Sequence, residues 1–217
     1  MNRENRMTSL PAPSDGRASY YFDSYHERWS LRHLFHKRRI DSLVRLVPAP
    51  ARVLDAGCGS GVLCRVLADQ GCTVAGVDLE PARAAWCQQL VPEGQFSAGD
   101  VRSFRLSATY GVVICSEVLE HFGAADRQAA FQNLASHLEA GGTLIVTVPS
   151  ATYIRLEPAW ELIRAWQYGP ENHDDEACHE IVNPAELEAG MSAAGCDVKR
   201  SGSACWGLVR WWVARKR

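Results

Sequence analysis

Residues Val53 to Gly61 read V-L-D-A-G-C-G-S-G, an order of side chains that can fold in few ways. Val53 and Leu54 end an apolar run short enough for one buried strand. Asp55 closes it, and Gly57, Gly59 and Gly61 alternate with other residues before a second apolar stretch starts at Val62. A glycine turn between a strand and a helix brings bare backbone close to a ligand and aims the first N–H groups of the helix at it. The spacing is not the dinucleotide fingerprint G-x-G-x-x-G, which places two residues before its last glycine. An acid inside the motif repels a pyrophosphate and suits a cationic or hydroxyl-rich ligand.

A second acid extends the cradle. Thr73 to Val77 is another apolar run, and Asp78 follows it. An acid at the end of a second strand, about 20 residues past the first glycines, is where a ribose diol is held in nucleotide-binding folds. The ligand expected from these two acids is a nucleoside without phosphates.

The rest of the chain alternates strand and helix, which argues for a parallel sheet with helices on both faces. Strands are expected near Arg52–Ala56, Thr73–Val77, Gln95–Ser97, Val112–Cys115 and Thr143–Val148. Helices are expected near Val62–Gln70, Pro81–Leu90, Ala125–Leu138 and Pro184–Gly195. Pro81 and Pro184 suit first helical turns, and Asn183 is a good N-cap. Asp197–Ser203 and Gly207–Ala214 read as two further strands. Before the core, Leu31, Leu34, Phe35, Ile40, Leu43, Val44 and Val47 recur at helical spacing in a basic segment that Pro48 and Pro50 end.

V-L-D-A-G-C-G-S-G followed by G-V-D-L resembles the class I S-adenosylmethionine-dependent methyltransferases. Gly99-Asp100-Val101, Y-G-V-V-I-C-S-E-V-L-E-H over Tyr110–His121, and L-E-A-G-G-T-L-I-V-T-V-P over Leu138–Pro149 resemble further motifs of that family, in its order. The match is close over Arg52–Pro149 and looser beyond. The resemblance implies an α/β, Rossmann-like, doubly wound seven-stranded sheet, mostly parallel with an antiparallel C-terminal hairpin. Residues 1–19, polar with Pro11, Pro13 and Gly16, are expected to be a disordered tail and residues 20–50 an N-terminal lid or helix; the resemblance implies the methyltransferase domain over 51–217 with a substrate-loop insertion at 150–182. It also implies that S-adenosyl-L-methionine is held by Asp55, Gly57, Cys58, Gly59 and Gly61 at its amino-acid end. Asp78 would hold the ribose, Leu79, Asp100 and Val101 would face the adenine, and Ser116 would complete the cofactor set.

Ser116-Glu117-Val118-Leu119-Glu120-His121 brings two carboxylates and an imidazole together after the fourth strand, at the end of the sheet where ligands bind. In a helix, Glu117 would lie beside both Glu120 and His121. Three readings stay open: Glu117 and His121 as catalytic groups with the imidazole as general base, a divalent metal site (Mg²⁺, Mn²⁺ or Zn²⁺), or a structural role. The metal reading gains a member from Cys178–Leu187, C-H-E-I-V-N-P-A-E-L, which resembles ubiquinone-biosynthesis O-methyltransferases. The matching ligand set is Glu117, Glu120, His121 and His179, with His173 a substitute.

Tyr20, Tyr21, Tyr25 and Trp29 form either a lid over the ligand or a stripe packed on the sheet. Tyr153–Glu180, with Trp160, Trp166 and Tyr168, is irregular and is expected to shape the substrate pocket. With 217 residues and a net charge of −2, the chain has no global field that draws nucleic acid. The acidic stretch Glu171–Glu180 further opposes RNA 2′-O-methylation. No apolar run approaches the roughly 20 residues of a membrane span, and no leader-like stretch starts the chain. The basic, aromatic C-terminus W-W-V-A-R-K-R reads as an edge strand rather than a membrane-surface anchor. The 8 cysteines have no metal spacing, and Cys64 and Cys115 sit in apolar runs, which fits a reducing cytoplasm. The expected function is methylation of a small-molecule hydroxyl. An RNA 2′-O-methyltransferase and a non-catalytic cofactor-binding regulatory subunit are the alternatives.

Overall fold

The computed structural model describes Phe22, Tyr25, residues 31–156 and residues 180–217. The expected tail over residues 1–19, Tyr20, Tyr21 and Trp29, and the segment with Trp160, Trp166, Tyr168, His173 and His179 lie outside them. The chain divides into two compact units, Met1–Asp100 and Val101–Arg217.

The first unit contains α1 (Leu31–Val44), β1 (Arg52–Ala56), α2 (Val62–Asp69), β2 (Thr73–Asp78), α3 (Pro81–Leu90) and β3 (Gln95–Ala98). Its strands run in the order β3-β2-β1, all parallel, with Arg52 opposite Thr73 and Ala75 opposite Gln95. β1 and β2 are buried at every position after the first. That is why they read as unbroken apolar runs rather than alternating ones: both faces are covered. Pro81 opens α3, where its missing N–H costs nothing. Phe22 meets the Trp86 ring of α3 edge-on, with centroids 5.4 Å apart. At this position the N-terminal aromatics pack against the core.

The second unit contains β4 (Tyr110–Ser116), a single 3₁₀ turn at Leu119–His121, α4 (Ala124–Ser136), β5 (Leu138–Pro149), a helical stretch at 151–156, α5 (Pro184–Ala193), β6 (Cys196–Ala204) and β7 (Val209–Lys216). β4 and β5 are parallel, and Val112 to Ser116 lie opposite Thr143 to Thr147. The Asn183 side chain accepts a hydrogen bond from the Ala185 N–H at 3.0 Å, capping α5 as its residue type predicts.

The C-terminal strands are antiparallel, but their placement corrects one expectation. The order is β4-β5-β7-β6, so the Trp-bearing β7 lies between β5 and β6 and is not an edge strand. Trp212 is completely buried, and its indole N–H donates to Glu188 Oε1 at 2.9 Å. The edge is β6, where Lys199, Arg200 and Ser201 are exposed; charge there discourages pairing with another chain. The seven strands form a Rossmann-like mixed sheet, mostly parallel with an antiparallel C-terminal pair.

Trp212→Phe keeps a ring in the core but removes the bond to Glu188. It is expected to lower unfolding free energy by about 2 kcal/mol, the lost bond plus a small cavity. Urea unfolding checks this, and an unchanged midpoint would show that the indole contributes only bulk.

Candidate functional site

The turn after β1 is built to hold backbone open. Gly57, Gly59 and Gly61 all have positive φ, at 89°, 50° and 73°. The N–H groups of Gly57 and Cys58 both donate to the Val77 carbonyl, at 2.7 and 3.1 Å, hanging the turn on the end of β2. Two of the glycines serve different purposes. A Cβ on Gly61 would come within 2.8 Å of Cys87 Sγ and 3.2 Å of Leu90 Cδ2, so this residue lets α3 approach closely. A Cβ on Gly59 would meet nothing within 4 Å. Its surroundings are open, and the backbone conformation alone demands glycine.

α3 staples the turn from below. The Trp86 indole donates to the Ser60 carbonyl at 3.1 Å, and the Cys87 thiol to the Gly59 carbonyl at 3.4 Å. The Cys58 thiol points at Cys87 Sγ, 3.8 Å away. That hydrogen bond and burial push the Cys58 thiol well above its ordinary range, and burial followed by the Asp55 charge does the same to Cys64. Both are inert, packed thiols rather than nucleophiles.

Asp78 closes the turn from the other side. Its Oδ2 accepts from the Gly59 N–H at 2.8 Å and its Oδ1 from the Glu80 N–H at 3.0 Å, with Arg83 Nη1 3.8 Å away. A carboxylate offers about four acceptor sites, so these bonds leave capacity for a diol. Leu79, the next residue, is apolar yet 66% exposed. The Gly99 N–H donates to the Asp78 carbonyl at 2.8 Å, which brings the half-buried Asp100 after it.

Asp55 is the electrostatic anomaly. Only 3% of it is exposed; its Oδ2 accepts from the Cys64 thiol at 3.4 Å, and its Oδ1 has no hydrogen-bond partner among the described residues. Burial pushes its carboxyl from 3.8 up to about 7, and the nearby Asp78 charge adds to the rise. A buried acceptor left over at a glycine turn fits a ligand that carries an N–H or a cationic group.

In the second unit, the turn after β4 departs from the conditional expectation of a helix. Glu117 has φ 55°, in the left-handed region that a residue with a Cβ rarely adopts. Only Leu119–His121 is helical, as one 3₁₀ turn, so the i to i+4 stacking of Glu117 and His121 does not arise. The Glu117 N–H donates to the Thr147 carbonyl at 3.1 Å, and the Thr147 hydroxyl donates to Glu117 Oε1 at 2.8 Å. Glu120 is 1% exposed whereas His121 is exposed. The two carboxylates and the imidazole therefore do not converge, and among the described residues no group of three or more His, Cys, Asp or Glu side chains could hold a metal ion. Three members of the expected metal set, Glu117, Glu120 and His121, form no such group by themselves, and the fourth, His179, lies outside the described residues. Val101 is buried, and its carbonyl accepts from Asn133 Nδ2 at 3.0 Å.

A glycine turn after β1, an acid at the end of β2 and an acidic turn after β4 occur together in this chain, and comparison with known proteins gives the combination a family. Residues 28–201 match the family model described as "Methyltransferase domain". The chain is 31% identical over 166 residues to a ubiquinone biosynthesis O-methyltransferase of Xanthomonas axonopodis pv. citri, a match covering 71% of this chain and 66% of that protein. It belongs to the S-adenosylmethionine-dependent methyltransferases.

The chain spans about two thirds of the length of that relative. It is also 32% identical over 117 residues to a dTDP-3-amino-3,6-dideoxy-alpha-D-glucopyranose N,N-dimethyltransferase of Streptomyces fradiae, covering 52% of this chain and 46% of that one. Among solved structures, the magnesium protoporphyrin IX methyltransferase of Synechocystis PCC 6803 with bound S-adenosylhomocysteine shares the fold. Its TM-score is 0.70 at 22% identity, covering 91% of this chain and 93% of that one. For a methyltransferase the leftover acceptor on Asp55 and the open space at Gly59 fit a cofactor whose end is an amino acid. No helix among the described residues is long and apolar enough to cross a membrane.

Sequence reasoning missed the parts of this methyltransferase that brace the motif rather than form it. Trp86 and Cys87 lie 26 and 28 residues from the backbone atoms they hold, and nothing local marks them. Arg127 on α4 is similar: it donates to the Phe122 carbonyl and to Glu180 Oε2, while the Glu180 N–H donates to the Glu120 carbonyl at 3.0 Å. Thr147 did carry a signal. Ser116 and Thr147 are polar residues at matching positions near the ends of two apolar strands.

An acid whose carboxyl is raised by folding costs stability as pH climbs from its unfolded value, near 3.8, to its folded value of about 7. Asp55→Asn removes that cost. Between pH 5 and pH 8 the variant is expected to gain about 2–3 kcal/mol of unfolding free energy relative to wild type. Denaturant titrations at both pH values measure it, and a difference that does not change with pH would contradict the burial argument.

Proposed function

We propose that this methyltransferase transfers the methyl group to a hydroxyl oxygen of a small-molecule acceptor. The observation that carries the reading is the similarity over 71% of the chain to a ubiquinone biosynthesis O-methyltransferase. The acidic turn at Glu117–His121, beyond the end of β4, supports it with groups suited to a protonated oxygen nucleophile.

When bound, S-adenosylmethionine supplies an electrophilic methyl group for in-line displacement. The chain's own residues do the rest. In the proposed arrangement the backbone of Gly57, Cys58, Gly59 and Gly61 and the carboxylate of Asp55 hold the amino-acid end. Asp78 holds the ribose hydroxyls, Leu79, Asp100 and Val101 contact the adenine, and Ser116 contacts the cofactor. Glu117 orients the acceptor hydroxyl, and the exposed imidazole of His121 takes its proton as the new O–C bond forms and the methyl–sulfur bond of the donor breaks, leaving a neutral thioether. Such a base is needed because a hydroxyl is protonated at neutral pH. Holding donor and acceptor in line contributes through orientation.

The reading gives no part to a divalent metal on Glu117, Glu120 and His121, because these side chains do not converge. Incubation with methyl-labelled S-adenosylmethionine and a panel of catechols, phenols and aliphatic alcohols tests it, with amines and thiols as competing classes. The expected result is an O-methylated product, about a hundredfold slower with His121→Ala and undiminished in excess chelator. Methylation confined to amines, or activity that chelator abolishes and Mg²⁺ restores, would overturn the reading.

A further inference from the structure

Three polar side chains at the ends of β4 and β5 form one directed chain. Ser116 Oγ lies 2.9 Å from Thr147 Oγ1, and Thr147 Oγ1 donates to Glu117 Oε1 at 2.8 Å. A hydroxyl has a single proton. Since Thr147 gives its proton to the carboxylate, Ser116 must be the donor in the other bond. The direction is therefore Ser116 to Thr147 to Glu117, and each bond polarises the next. Thr147 is 1% exposed, so no water competes for its hydroxyl.

The same residue also holds the backbone. The Glu117 N–H donates to the Thr147 carbonyl at 3.1 Å just where φ turns to 55°. A left-handed conformation in a residue with a Cβ costs about 1 kcal/mol or more and persists only where its surroundings determine it. Thr147 grips both ends of Glu117: its carbonyl fixes the main chain and its hydroxyl fixes the carboxylate. Packing alone does not call for a hydroxyl here. Valine has the same shape and suits β5 equally, as Val146 and Val148 on either side illustrate.

We propose that Thr147 is a positioning residue for methyl transfer, holding the Glu117 carboxylate in one orientation at the end of β4. The proposal rests on the reading that Glu117 orients the acceptor. Thr147 touches neither acceptor nor cofactor in this account; it acts through Glu117.

The test compares Thr147→Val, which keeps the shape and removes the donor, with Thr147→Ser, which keeps the donor. Glu117→Gln serves as reference. Two readouts are taken. The first is the ¹³C carboxyl resonance of Glu117 in glutamate-labelled protein, assigned by its disappearance in Glu117→Gln. It is expected to shift and broaden in Thr147→Val and to return in Thr147→Ser. The second is turnover of the best acceptor from the hydroxyl panel. In Thr147→Val kcat is expected to fall about tenfold or more, the rate equivalent of one hydrogen bond to a charged group. S-adenosylhomocysteine affinity should stay within about twofold, and Thr147→Ser should recover most of the rate.

A Glu117 resonance unmoved in Thr147→Val would overturn the proposal whether or not an acceptor is known. So would a kcat loss matched by an equal loss of cofactor affinity and melting temperature, since that is simple destabilisation. If Glu117→Gln turns over normally while Thr147→Val still moves the resonance, the reading of Glu117 fails and the contact itself stands.

Discussion

The Asp78 carboxylate, 5% exposed at the end of β2, determines how the first unit presents backbone to a ligand. It binds Gly59 in one direction and Glu80 in the other. The glycine turn is thus tied to the start of α3, and α3 returns the hold through Trp86 and Cys87. Without these ties a turn with three alternating positive-φ glycines would be the most mobile part of the unit. With them, the open position at Gly59 has a fixed shape, and a ligand does not bear the entropy of ordering it. Rigid support beneath a half-buried turn would let few side chains specify a ligand.

The first unit also accepts a local cost. Asp55 is buried without a partner for one oxygen among the described residues, and its carboxyl titrates near neutrality as a result. An apolar side chain there would carry no such charge-burial cost. The carboxylate makes sense as an acceptor whose partner is the ligand, and a strained or underbonded group at a site fits a chain that trades stability for function. The surrounding thiols of Cys58, Cys64 and Cys87 fit the same view. They fill volume and make weak directional contacts.

Much of the fold was legible because parallel strands covered on both faces leave an apolar signature that turn residues interrupt. β1, α2, β2 and α3 start where the sequence places them, and Pro81, Pro184 and Asn183 mark helix starts by known local physics. What the sequence could not show is tertiary. Glu117, Glu120 and His121 have helical spacing, yet Thr147, 30 residues away, takes both the amide and the carboxylate of Glu117 and turns the backbone left-handed. The helix that would stack Glu117 on His121 does not form, and among the described residues no group of three or more His, Cys, Asp or Glu side chains could hold a metal ion. W-W-V-A-R-K-R looks like an edge because it is basic and near the end of the chain. It is interior because β6 adds outside it and Trp212 finds Glu188 on α5. In both cases a pairing distant in sequence overrode a correct local pattern.

The central claim is that the Gly57–Gly61 turn, held by Asp78, binds S-adenosylmethionine. Calorimetric titration of the chain and of Asp78→Ala with S-adenosylhomocysteine tests it most directly. The account predicts saturable one-to-one binding to the wild-type chain and a loss of about 1–3 kcal/mol in the variant, the range for charge-assisted hydrogen bonds. No heat of binding with the wild-type chain, or equal affinity for both proteins, would contradict it.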